Sequence, residues 1–282
     1  MSSRLLRSGS PWRFELRPWL SSVPWRLELW LLLDRLDPRR WSRRALVAWI
    51  AAGLAALAAA DLCYQVARKP SELLGLVARG GPKAPAGTWR AYRELFEESS
   101  TPNVRPELLA ALAQVESSGD PLARTRWRLR WSASPLDLYA PASSAVGLLQ
   151  MTDATYQQAR RLCIRDHAVA REGPWWDPRT CFLNALYFRT VPGHAIEMTA
   201  AYLDATSAAI LARPGMRQPT APERDALAAT IHLCGPERAA AFAARGFRPR
   251  GGERCGDHGL RAYLSRVRVL EEVFAAARAG GG

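Results

Sequence analysis

Residues 45–60 carry no charge and include Leu46, Val47, Trp49, Ile50, Leu54 and Leu57; only Asp61 interrupts before the apolar character resumes at 62–67. A run of this kind cannot be left in water. It must be a helix buried in protein or in a bilayer, and a full span takes about 20 residues. Arg39, Arg40, Arg43 and Arg44 abut its start, and Arg68 and Lys69 follow it. We read residues 45–67 as a single uncleaved transmembrane anchor, with the positive-inside bias placing the N-terminus in the cytoplasm and the main domain outside. Two other readings stay open. Ala58, Ala59 and Ala60 fit a small-residue cleavage site, although a 44-residue leader is long for a secretory signal. The run could also be a buried Ala-rich helix of a soluble protein. Cys63 does not fit a lipidation site, because Asp61 and Leu62 stand where small residues are expected.

The rest of the chain divides around that run. Residues 1–44 hold ten Arg against four acidic residues and five of the eleven Trp, which suits a basic segment lying at the inner membrane surface. Residues 68–87, ending in the Gly- and Pro-rich stretch 80–87, read as a linker. The net charge of +13 admits nucleic acid, an anionic membrane or an acidic cell-wall polymer as partner. No zinc-finger spacing, helix-turn-helix signature or aromatic RNA-binding motif accompanies it, so nucleic acid is excluded as the expected partner.

From residue 88 to 282 the pattern is mostly α, with helices expected at 89–98, 106–116, 152–162, 180–188, 195–211, 222–233, 236–245 and 260–277. Strand signals are nearly absent, apart from a short β element that could hide near 138–149. The 106–116 segment is the most informative. Pro106 opens it, and Leu108, Leu109, Leu112 and Val115 form its apolar face. At about 100° per residue, Glu116 lies roughly 20° from Leu109 around the axis. The carboxylate is thus aimed along the buried face, in the last turn before Gly119 and Pro121 stop the helix. The negative end of the helix dipole and apolar neighbours both push its pKa upward. A carboxylic acid that keeps its proton near neutrality is what glycosidic cleavage uses to protonate a leaving oxygen. Of the five cysteines, Cys163, Cys181, Cys234 and Cys255 fall in the domain. An even set in an exported domain suggests two disulfides, and among three connectivities we expect the local pairs Cys163–Cys181 and Cys234–Cys255. The spacing of His167, His194, His232 and His258 fits no common zinc pattern, so no metal is expected.

Four motifs occur in order: Glu116-Ser117 closing a helix; Gly147-Leu148-Leu149-Gln150, with a helix after Thr152; Leu233-Cys234-Gly235-Pro236; and Tyr263-Leu264-Ser265-Arg266-Val267. Together they resemble the SLT-type lytic transglycosylases, goose-lysozyme-like enzymes that cut bacterial peptidoglycan, over residues 88–275. The resemblance implies a lysozyme-like helical domain behind the anchor. It also implies an inner-membrane protein with its catalytic domain in the periplasm, acting on glycan strands without a cofactor. Glu116 would be general acid and then base, forming a 1,6-anhydroMurNAc product, with Tyr263 beside it. Ser117, Ser144, Gly147, Leu148, Gln150 and His232 would shape the cleft or hold substrate. Two departures stand out. Leu233 replaces the family's Asn, and the Glu116-to-Gly147 interval is longer than the family's. The added part, 124–131, is rich in Arg and Trp, as either a lip gripping glycan or a solvated loop. Asp120, Asp137 and Asp153 are the nearby acids, none in a matching motif. A non-catalytic peptidoglycan binder and an envelope scaffold contacting other envelope proteins are the competing readings.

Overall fold

A computed structural model of the chain describes residues 42–68, 81–123, 127–129, 139–141 and 143–280. Most of the basic N-terminal segment, most of the linker, most of the expected lip and Asp137 lie outside them. The chain forms two compact units, residues 1–59 and 60–282. Helix α1 (Arg43–Arg68) crosses that division. Its 25-residue stretch Arg43–Ala67 is long and apolar enough to cross a membrane by length and composition.

Among the described residues of the second unit the fold is mostly α. Helices α2 (Pro85–Glu98), α3 (Pro106–Ser117), α4 (Asp153–Ala159), α5 (Pro192–Leu211), α6 (Ala221–Cys234), α7 (Pro236–Ala244) and α8 (Leu260–Ala279) make up the body. Five of these, α2, α3, α5, α6 and α7, carry Pro in the first turn, where a missing N–H costs nothing. The core forms where α8 and α2 pack on α3. Leu108, Leu109 and Leu112 of α3 are fully buried, each stabilising the fold by roughly 1.5–3 kcal/mol. They meet Trp89 and Phe96 of α2 and Leu260, Tyr263, Val267 and Phe274 of α8.

Three differences from the sequence reading have physical causes. Residues 85–87, read as linker, are the first turn of α2, because Pro85 sits at a helix start and Ala84 is the extended residue before it. The helix read at 152–162 ends at Ala159, and Leu162 instead opens a hairpin absent from that reading, β3 (Leu162–Arg165) and β4 (Ala168–Arg171), with Cys163 opposite Ala170. Its turn residues, Asp166 and His167, both take left-handed conformations, φ 50° and 59°. That is the geometry of a two-residue hairpin turn without the usual glycine. His167 is held there by its Nδ1, 2.9 Å from the Ser100 carbonyl. The helix read at 180–188 shrinks to a 3-10 turn, Phe182–Leu186. The Cys163–Cys181 disulfide pins its start, and Asn184 Nδ2 donates to the Leu162 carbonyl at 2.5 Å. Two further short pairs are β1 (Trp127–Leu129) with β2 (Tyr139–Pro141), and β5 (Arg254–Cys255) with β6 (His258–Gly259).

Candidate active site

The end of α3 decides where Glu116 points. Ser118 and Gly119 leave the helix in left-handed conformations, φ 53° and 71°. Their amides close it on the Gln114 and Ala113 carbonyls, at 3.0 and 3.2 Å. Glu116 therefore sits in the last turn, its side chain 18% exposed. Two other helices meet it there. Tyr263, in the first turn of α8 and buried, donates its hydroxyl to Glu116 Oε1 at 2.6 Å. His232, in the last turn of α6, brings Nε2 to 3.7 Å from the same oxygen. Burial pushes the Tyr263 phenol well above its ordinary range, and the Glu116 charge adds to that shift. The phenol therefore stays a donor.

Of the three nearby acids, Asp137 lies outside the described residues and the other two are engaged elsewhere. Asp120 accepts from the Leu122 amide at 2.9 Å, and Asp153 from Arg189 Nη2 at 2.7 Å. Glu116 is bonded to a phenol and neighboured by an imidazole. That environment can hold and return a single proton.

Behind Glu116, Ser117 Oγ lies 2.9 Å from the Ala113 carbonyl and 2.7 Å from the Leu148 carbonyl, so its one proton ties α3 to the 147–150 turn. The turn is closed by the Val146–Met151 bridge and by the Gln150 amide on the Gly147 carbonyl at 3.1 Å. Gly147 has φ 83°, and a Cβ there would lie 2.0 Å from the Arg189 carbonyl oxygen, so only glycine fits. Gln150, itself at φ 43°, turns its Nε2 inward to the Gly147 and Ala123 carbonyls, at 2.9 and 3.2 Å. Leu148 is fully buried and offers no side-chain surface to a ligand. Ser144 is exposed; its Oγ accepts from the Asp153 amide at 3.2 Å at the start of α4. Leu233, where a polar residue was expected, is partly buried against the core. The structure thus brings Glu116, Ser117, Gly147, Leu148, Gln150, His232 and Tyr263 into one bonded region.

Sequence reasoning missed Arg189 altogether. Its guanidinium donates to the Ser144 and Met151 carbonyls at 3.1 and 2.9 Å, reaches Asp153, and stacks 4.9 Å from the Tyr156 ring centre. It braces the turn from outside. An Arg in an Arg-rich chain gives no signal of such a task. The Cys234–Cys255 disulfide joins the end of α6 to β5, in the hairpin that leads into α8, so the helices carrying His232 and Tyr263 are covalently linked through it.

Residues 94–213 match the family model described as the transglycosylase SLT domain. Glu116, Ser117 and the 147–150 turn fall inside that stretch; His232 and Tyr263 lie beyond it. No curated protein matches the chain.

Proposed function

We propose, taking as premise that this chain carries a transglycosylase SLT domain and is a lytic transglycosylase acting on peptidoglycan, that Glu116 is its single acid/base. The observation that supports the assignment is the meeting of Glu116 with Tyr263 and His232 in the last turn of α3. Hydrolysing glycosidases usually flank the bond with two carboxylates. Among the described residues the groups beside the Glu116 carboxylate are a phenol and an imidazole, which suits a mechanism that needs one carboxylate. Protonated Glu116 gives its proton to the oxygen between MurNAc and GlcNAc, and the MurNAc C1–O bond breaks. The resulting carboxylate then takes the proton of the MurNAc 6-hydroxyl, whose oxygen closes on C1 as the 1,6-anhydro ring. No water is consumed, and Glu116 ends protonated as it began. Tyr263 holds the carboxylate in position through both half-reactions, and His232 supplies a second polar neighbour as charge develops. The turn at 147–150, locked by Gly147, Ser117 and Gln150, forms the wall against which the glycan lies.

The reading extends to place. The Arg43–Ala67 helix serves as a single inner-membrane anchor, with the arginines before it on the cytoplasmic side and the catalytic domain in the periplasm. Wild-type chain and Glu116→Gln are incubated with peptidoglycan, and products are analysed by mass spectrometry. We expect chains ending in 1,6-anhydroMurNAc from wild type and none from the variant. Reducing-end MurNAc would mean hydrolysis, and binding without any product would leave a non-catalytic wall binder.

A further inference from the structure

The residues that deliver the chain into the domain are bonded to the end of α3. Lys83 donates its backbone N–H to the Ser118 carbonyl at 2.7 Å, and its own carbonyl accepts from Gln114 Nε2 at 2.9 Å. Its Nζ donates to the Gly119 carbonyl at 2.8 Å and lies 5.6 Å from the Tyr92 ring centre. Gln114 precedes Glu116 and Ser117, while Ser118 and Gly119 follow them, so one residue grips the catalytic turn from both sides. Thr88, buried in the first turn of α2, completes the link by donating to Gln114 Oε1 at 2.6 Å.

We propose that Lys83 is a positioning residue for Glu116, so that the linker segment completes the catalytic helix as well as tethering it. The proposal rests on Glu116 as the acid/base. The last carbonyls of a helix have no partner within it, and a cation is favoured at that end. A non-glycine residue in the left-handed region, as Ser118 is, persists only where its surroundings over-determine it. Lys83 supplies the missing donors at that point. Without it the last turn of α3 loosens, and the Glu116 carboxylate drifts from Tyr263 and from its productive place, where a displacement of about 1 Å can cost on the order of 100-fold.

The test uses the full chain in detergent micelles, with Lys83→Met, Lys83→Arg and Glu116→Gln assayed on peptidoglycan at a temperature where circular dichroism shows each folded. Lys83→Met should lower kcat roughly tenfold, as loss of a charged donor does, with KM within about twofold. Lys83→Arg should recover most of the loss, since its guanidinium reaches the same carbonyl. Wild-type kcat in Lys83→Met, a loss confined to KM, or an equal loss in Lys83→Arg would overturn the proposal. If Lys83→Met does not fold, Lys83→Gln, which shortens the side chain and removes the charge at the Gly119 carbonyl, takes its place and must show the same kcat-only loss. Turnover retained by Glu116→Gln would sink the assignment of Glu116 itself. A dead Glu116→Gln beside a fully active Lys83→Met would sink only the role of Lys83.

Discussion

Tyr263→Phe isolates one bond at the centre of the site. The substitution keeps the buried ring, which lies 6.5 Å from that of His258, and removes only the hydroxyl. Glu116 Oε1 then loses its 2.6 Å donor and retains His232 Nε2 at 3.7 Å. With Tyr263 at 1% exposure and the Glu116 side chain at 18%, little water can take the hydroxyl's place. A hydrogen bond to a charged group is worth about 1.5–3 kcal/mol, so kcat should fall roughly 10- to 150-fold. KM should barely move, because the hydroxyl is spent on Glu116. The assay is the initial rate of soluble anhydro-muropeptide release, at a temperature where both proteins are folded. Burial holds the Tyr263 phenol protonated far into the alkaline range, so ionisation of the phenol itself adds no pH dependence to the comparison between about pH 5 and 9. A variant with kcat within twofold of wild type would refute the reasoning. So would a loss explained entirely by unfolding.

Two further outcomes follow from backbone and charge. Gly147→Ala places a Cβ 2.0 Å from the Arg189 carbonyl oxygen at φ 83°. It should cost about 2–4 kcal/mol, roughly 5–15 °C in Tm, and activity should be lost with the turn; an unchanged melting curve would contradict the packing described. Glu271, on α8 beside Arg105 at 3.3 Å, is pushed up to about 8, mainly by burial and then by the charge of Asp225. Because the raised pKa belongs to the folded state, its contribution is fully present below the ordinary carboxylate range. It is lost as pH rises toward 8. Glu271→Gln cannot ionise, so its Tm should fall less than that of wild type between pH 5 and 8, by a few degrees. Parallel Tm–pH curves for the two proteins would remove Glu271 as the cause.

How much of this was legible without the structure depends on the range of the interaction involved. Helix α3, its Pro106 start, its buried leucines and the placing of Glu116 in the last turn all follow from periodicity and local stop signals. The same is true of the apolar helix near the N-terminus, whose length and composition are local properties. The 147–150 turn could be read from its residues, because a glycine followed by Gln after an apolar pair is a short-range pattern. The β3–β4 hairpin could not. Its strands are four residues long, and Asp166-His167 lacks the glycine that usually announces such a turn; a contact with Ser100, far off in sequence, holds it. The 3-10 turn at Phe182–Leu186 likewise depends on a disulfide and on Asn184 reaching back to Leu162. The bonding of Glu116 to Tyr263, across 147 residues of chain, was suggested only by resemblance. Arg189 and Lys83 gave no sign at all, since a guanidinium or ammonium on a basic chain has its meaning set by which carbonyls the fold leaves open. Local pattern was enough for most of the helices and for the acid that ends one of them. What surrounds that acid was set by tertiary packing, because its partners Tyr263 and His232 come from α8 and α6, and packing alone brings those helices to the end of α3.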